Sequence, residues 1–199
     1  MKLFASLAAL MFGASLAIAE EDLNWNTSQH NFQLQSNDWS LEIRTVLDDD
    51  YDHMEVSKVL SNGLIASLRY AEDGTSTEIR PKLTQKLFAN DTWSLKHRME
   101  YRYFEGAETD DFWRYRAIIG LKSGNTWVKL EPRWELGGDK ENDGDIDNVK
   151  WQAGYNWSLS SNESSSVVLT PFVEYQTQGS EGDWKKESMI LGTNLSIKF

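Results

Sequence analysis

No cysteine occurs in the chain, which removes disulfide frameworks, thiolate metal sites and thiol nucleophiles together. Proline is scarce, three residues in 199, well under average usage. Basic residues are outnumbered, 20 Lys+Arg against 31 Asp+Glu for a net charge of −11, which speaks against an outwardly basic nucleic-acid binder. Beyond residue 19 no stretch approaches the roughly 18 consecutive apolar residues of a membrane-spanning helix. Histidine is down to three residues, and neither a Gly-x-Ser-x-Gly elbow nor a His-Glu-x-x-His zinc motif is present. What the chain has in quantity is aromatic: nine Trp, seven Tyr and eight Phe, on a background otherwise too polar to need them.

The first 19 residues read as an export signal. Met1-Lys2 is a short positive start, residues 3–18 are apolar or small, and Ala17-Ile18-Ala19 supplies the small-x-small cleavage pattern ahead of Glu20, Glu21 and Asp22. Such a segment is removed and does not belong to the fold. Residues 20–38 are polar and read as an N-terminal periplasmic extension whose acids could enter a basic lumen.

From residue 39 the chain alternates with a period of two. Val149, Trp151, Ala153, Tyr155, Trp157 and Leu159 interleave with Lys150, Gln152, Gly154, Asn156 and Ser158. Val128, Leu130, Pro132, Trp134 and Leu136 interleave with Lys129, Glu131, Arg133 and Glu135. Alternation over about ten residues marks strands with one apolar and one polar face. Ten such runs are expected, at 39–47, 53–60, 64–71, 77–88, 93–104, 112–122, 127–136, 148–159, 166–176 and 186–199. Short turns at 61–63, 89–92, 123–126 and 160–165 alternate with longer connections at 48–52, 72–76, 105–111, 137–147 and 177–185.

The fold class expected is all-β, an up-and-down antiparallel transmembrane β-barrel over 39–199. It has about ten strands (twelve as the alternative) and both ends in the periplasm. A soluble sandwich or lipocalin-like barrel is the competing architecture. Against it, the apolar face carries bulky aromatics near strand ends (Trp39, Tyr70, Trp93, Tyr103, Trp113, Trp157, Tyr175), as interfacial girdles require. The last strand, with Leu191, Leu195, Ile197 and terminal Phe199 at alternate positions, resembles the C-terminal signal read by the bacterial barrel-assembly machinery. Outer-membrane localisation, with outer-membrane lipid around the wall, follows.

Sorting charges by strand face collects thirteen bases on the polar side: Arg44, Arg69, Arg80, Lys82, Lys86, Lys96, Arg98, Arg102, Arg114, Arg116, Lys129, Arg133 and Lys150. Seven acids share it: Glu42, Glu55, Glu78, Glu100, Glu131, Glu135 and Glu174. The expected lumen is therefore positive inside an acidic protein. One reading is an Arg–Glu network that merely fills the barrel. The other is a path for an anionic solute, since guanidinium forks hold carboxylates and charged rings set pore selectivity.

The order and texture of residues 39–199 resemble the KdgM-type porins, the oligogalacturonate and sialic-acid channels of Gram-negative bacteria. The residues carrying the resemblance include Ser40-Leu41-Glu42-Ile43-Arg44 before an acidic loop and Glu55–Gly63 running into an Asn-Gly turn. Arg80-Pro81-Lys82-Leu83, Arg98-Met99-Glu100-Tyr101-Arg102-Tyr103, Trp113-Arg114-Tyr115-Arg116 and Thr170-Pro171-Phe172-Val173-Glu174-Tyr175 follow. The resemblance implies a small monomeric barrel that conducts short anionic oligosaccharides past an arginine-rich wall. It also implies twelve strands, so one hairpin is missing here, between Tyr70 and Ile79, unless residues 31–36 add a strand. The alternative function is a non-conducting barrel acting in adhesion or envelope stability through its acidic loops.

Two further constellations are weighed. Asp139, Glu141, Asp143, Asp145 and Asp147, with Gly144 at the sixth place, resemble a calcium loop, but Lys150 stands at the twelfth place where a bidentate Glu belongs. A solvated acidic loop is the favoured reading, with no metal and no cofactor. His53 beside Asp50 and Asp52 is the one catalytic candidate, after the rim Asp and His of outer-membrane proteases, and no enzymatic role is expected. His97, Gln85 and Lys58 fall on the apolar face and fit it poorly.

Overall fold

The computed structural model describes residues 25–46, 52–61, 63–72, 76–106, 111–137, 146–180 and 183–199. Among them there is no helix. The strands are β1 Trp25–Ser36, β2 Trp39–Val46, β3 Asp52–Ser61, β4 Leu64–Glu72, β5 Thr77–Ala89 and β6 Trp93–Glu105. They continue as β7 Phe112–Ser123, β8 Thr126–Leu136, β9 Ile146–Tyr155, β10 Trp157–Ser161, β11 Ser166–Ser180 and β12 Asp183–Lys198. Neighbours in sequence pair antiparallel from β1 to β9. β9 and β10 flank the single residue Asn156 and both pair with β11, so together they occupy one place in the wall. The sheet closes where β12 meets β1 in parallel, Gln29 beside Gly192 through Gln35 beside Lys198. The wall thus has eleven strand positions. Because direction alternates at every turn, an odd number can close only through one parallel pair.

All ten expected runs are strands, and the run at 148–159 is the β9–β10 pair. The boundary between extension and barrel is corrected: residues 25–36, read as part of a periplasmic tail, form β1 and complete the wall. Phe32 and Leu34 lie on one face, while Gln29, Asn31, Gln33 and Gln35 pair across β2 with the inward row. Amides in place of charges leave that strand without the contrast that marks the others. The expectation that both ends lie on the short-turn side changes with it, since β1 enters at the long-loop rim, opposite Phe199. At 70–79 β4 and β5 are direct neighbours, with Glu72 opposite Thr77. The signal segment and the start of the extension lie outside the described residues.

Alternation sets which face is which, and burial shows the barrel to be inside-out. Among the described residues three hydrophobic side chains are buried (Ala71, Phe112, Phe172), against sixteen polar or charged ones. Trp39, Leu68, Trp113 and Leu159 stand about half exposed on the outside. Two rings of aromatics mark the rims, Trp39 and Trp93 at the short-turn end and Tyr70, Tyr103 and Trp113 at the long-loop end. A soluble protein buries such residues; here burial falls on Arg, Lys and Glu.

The polar residues on the apolar face are partnered. His97 and Gln85 are cross-strand neighbours joined at 3.0 Å, and Lys58 sits 4.9 Å from the ring centroid of its neighbour Trp39. At the parallel seam His30 meets Thr193 Oγ1 at 2.8 Å, and the Phe199 backbone N–H donates to Gln35 O at 3.0 Å. The short β1–β2 turn is made by Asn37 at φ 48°, a conformation Asn tolerates better than most residues.

Candidate functional site: the barrel lumen

The period-two pattern puts Arg, Lys and Glu on the inner face of β2 to β9, and the register decides which of them meet. Like charges often stand side by side: Glu42 beside Glu55, Arg69 beside Arg80, and Arg98, Arg116 and Arg133 in one row. Part of the neutralisation therefore runs diagonally, two residues along the adjacent strand, a separation that long side chains reach easily. Arg116 shows the pattern. Flanked by two arginines, it donates from Nη2 to Glu100 at 2.6 Å and from Nη1 to Glu131 at 2.5 Å.

The rest of the network combines diagonal pairs with directly opposite ones and with pairs two residues apart on one strand. Arg80 grips Glu78 with both Nε and Nη2, at 2.8 and 2.5 Å, and Arg102 holds the same carboxylate from the next strand. Arg114 donates to Glu135. Arg133 donates to Glu131 at 3.3 Å. Lys82 and Arg69 share Glu55 Oε2, both at 2.7 Å. Lys150 holds Glu174 at 2.7 Å, and Arg44 holds Glu42 at 3.2 Å. Glu100 is the hub: its side chain is 0% exposed, Arg80 and Arg114 stand 3.8 and 4.0 Å from its Oε1, and its Oε2 has no hydrogen-bond partner among the described residues.

All eleven bases expected on the substrate path face the lumen, but they divide into two groups. Arg44, Arg69, Arg80, Lys82, Arg102, Arg114, Arg116 and Arg133 are tied into ion pairs. Lys96, Arg98 and Lys129, together with Lys86, form no ion pair among the described residues. Arg98 instead donates to the Thr84 hydroxyl at 2.9 Å, and Lys129 lies 4.6 Å from the centroid of the Trp127 ring.

Several inward aromatics are not singled out by the sequence pattern, Trp127 and Phe172 among them. Trp127 lies against Gly154, and Phe172 lies against Gly192; a Cβ at either glycine would collide with the ring. The Trp127 Nε1–H donates to Asn156 Oδ1 at 3.2 Å, which also accepts from Thr170 Oγ1 at 2.9 Å. The signal in the sequence was glycine at an inward position of a strand, which marks a close approach. At the short-turn mouth a cavity of about 360 Å3 is lined by Trp127, Lys129, Ser94, Asn156, Thr170 and Asn194, among others.

The ligating atoms of Glu42, His53 and Glu55 lie within 4.8 Å of one another. Arg44, Arg69 and Lys82 already hold the two carboxylates, so the surroundings oppose a divalent cation. His53 faces the lumen, fully buried at its side chain, and bonds Glu42 Oε1 at 3.1 Å. Asp52, one residue earlier on β3, belongs to the opposite face, and Asp50 lies outside the described residues. So do Asp139, Glu141, Asp143 and Asp145 of the acidic loop. Asp147, at its end, approaches Arg114 Nη2 to 3.8 Å. Comparison with protein-family models and with curated proteins returns no match.

Proposed function

We propose that the protein is an outer-membrane barrel that passes short anionic oligosaccharides. The observation that carries this reading is a lumen with more bases than its own carboxylates neutralise. Nine bases, seven strand glutamates and Asp147 make up the network, and Lys86, Lys96, Arg98 and Lys129 form no ion pair among the described residues. The inverted burial supports membrane placement, since an apolar outer belt flanked by aromatics suits a wall surrounded by lipid. The export signal and the KdgM-like texture of the sequence agree with it. In such a wall the ion-paired network forms the constriction, and the unpaired bases supply the field that favours anions over cations.

A second reading has its own observation. Glu100 at 0% and Arg116 at 6% exposure show side chains packed tightly in the network, which favours a closed barrel with a structural role. Purified protein in planar bilayers separates the two. A channel shows unitary steps and a reversal potential shifted toward the anion, with the preference shrinking in 1 M salt, where the Debye length is about 3 Å. An absence of conductance from folded protein establishes the closed barrel.

A further inference from the structure

We propose that the short-turn mouth of the lumen is a binding site for phosphoryl-bearing small anions, built on Lys96 and Lys129 with Arg98 and Lys86 beside them. The inference rests on the anion-path reading of the lumen and names the chemistry of the solute's charge. Lys86 and Lys96 are direct cross-strand neighbours, and Lys96 has Lys129, Arg98 and Lys86 as its charged surroundings. The carboxylates within electrostatic reach of Lys129, namely Glu131, Glu42 and Glu174, are each bonded to another base. Four positive groups thus share one stretch of wall, and none of them is ion-paired among the described residues.

Two of these groups, Lys129 and Arg98, are also held in place by neutral partners. The Trp127 ring fixes the Lys129 ammonium by a cation–π contact, and Trp127 is itself fixed against Gly154 and by its bond to Asn156. Thr84 orients Arg98 through Nε, and the terminal nitrogens of Arg98 have no hydrogen-bond partner among the described residues. A ring or a hydroxyl positions a cation without cancelling its charge, whereas a carboxylate does both. Lys129 also lines open space at the mouth. Gly120, between Ser94 and Lys129 in the register, contributes no side chain, and the cavity of about 360 Å3 opens there. Asp91 and Lys122 are the other charged residues on its lining, and they offset one another.

The number of charges chooses the anion. Guanidinium forks match carboxylate and phosphate alike, and in this lumen the acids of the wall occupy most of them. What remains is mainly lysine, a compact point charge whose donors can approach a phosphoryl group from several sides. A monocarboxylate answers one of four charges, while a phosphate ester or pyrophosphate answers two or more.

Titration of the folded, detergent-solubilised protein with inorganic pyrophosphate, followed by calorimetry, tests the site without requiring conduction. Saturable binding that weakens with salt is expected, with galacturonate binding at least about tenfold more weakly. Lys96→Gln with Lys129→Gln should lower pyrophosphate affinity about tenfold or more, Lys129→Arg should retain it, and Lys58→Gln on the outer face should not change it. Heat-modifiable gel mobility verifies that each variant is folded. Equal affinity for galacturonate, or pyrophosphate binding unchanged in the double variant, overturns the proposal. Anion-selective conductance without pyrophosphate binding refutes the site and leaves the channel standing; binding by a barrel that does not conduct refutes the channel and leaves the site standing.

Discussion

Glu100 stands between Lys82 and Arg114 in the register and takes two bonds from Arg116, with Arg80 a little farther off. Removing its charge leaves several guanidinium groups facing one another in a space from which solvent is excluded. Breaking a buried pair from one side costs about 3–5 kcal/mol, so Glu100→Gln should lower unfolding stability by that order. Urea titration in micelles, followed by the fluorescence of the nine Trp, measures it; a change within about 0.5 kcal/mol would show that the hub carries no such weight. Lys129→Gln provides the contrast. Its ammonium has a ring for company and no carboxylate to strand, so the same titration should move little, while any anion preference should fall. Arginines that look equivalent along the sequence therefore separate into those that hold the barrel together and those that act on what enters it.

At the level of elements, the seam between β1 and β12 is the feature most open to a direct test. Asn31 and Asn194 are Cα partners there, and adjacent strands bring Cα atoms within the 4.4–6.8 Å that a disulfide spans. The chain has no native thiol to compete. Asn31→Cys with Asn194→Cys should therefore cross-link on oxidation, and heat-denatured, unreduced protein should run as a closed loop with altered gel mobility. Absence of a cross-link in folded protein would mean that β1 is not in the wall. This seam was also the least legible part of the sequence. Strands such as β6 and β8 declared themselves because charges and apolar residues alternate along them. In β1 the inward positions are Gln and Asn, and only Phe32 and Leu34 give an apolar beat near its end. The division of the lumen was hidden for a different reason. Parity alone puts Arg98 and Arg116 on the inner face, but which carboxylate each one reaches depends on the register between strands, and no single strand contains that information.

For the molecule as a whole, the odd number of wall strands separates the two ends of the barrel. β12 finishes among the short turns, and β1 starts among the long loops. An epitope inserted just before Trp25 and another appended after Phe199 should thus be reached from opposite sides of the membrane. Protease added to intact cells should remove the first and spare the second. Loss of both, or of neither, would contradict the parallel closure. The same parity bears on how freely the chain order could be rearranged. When first and last strands run antiparallel, their ends share a rim, a few residues can join them, and new termini can be opened in any loop. Here the ends are separated by the length of a 12-residue strand, about 40 Å at 3.3 Å per residue. A covalent ring would need a linker of about that length, run back past the Arg, Lys and Glu side chains that line the lumen. Circular permutation therefore demands far more of this barrel than of one whose first and last strands run antiparallel.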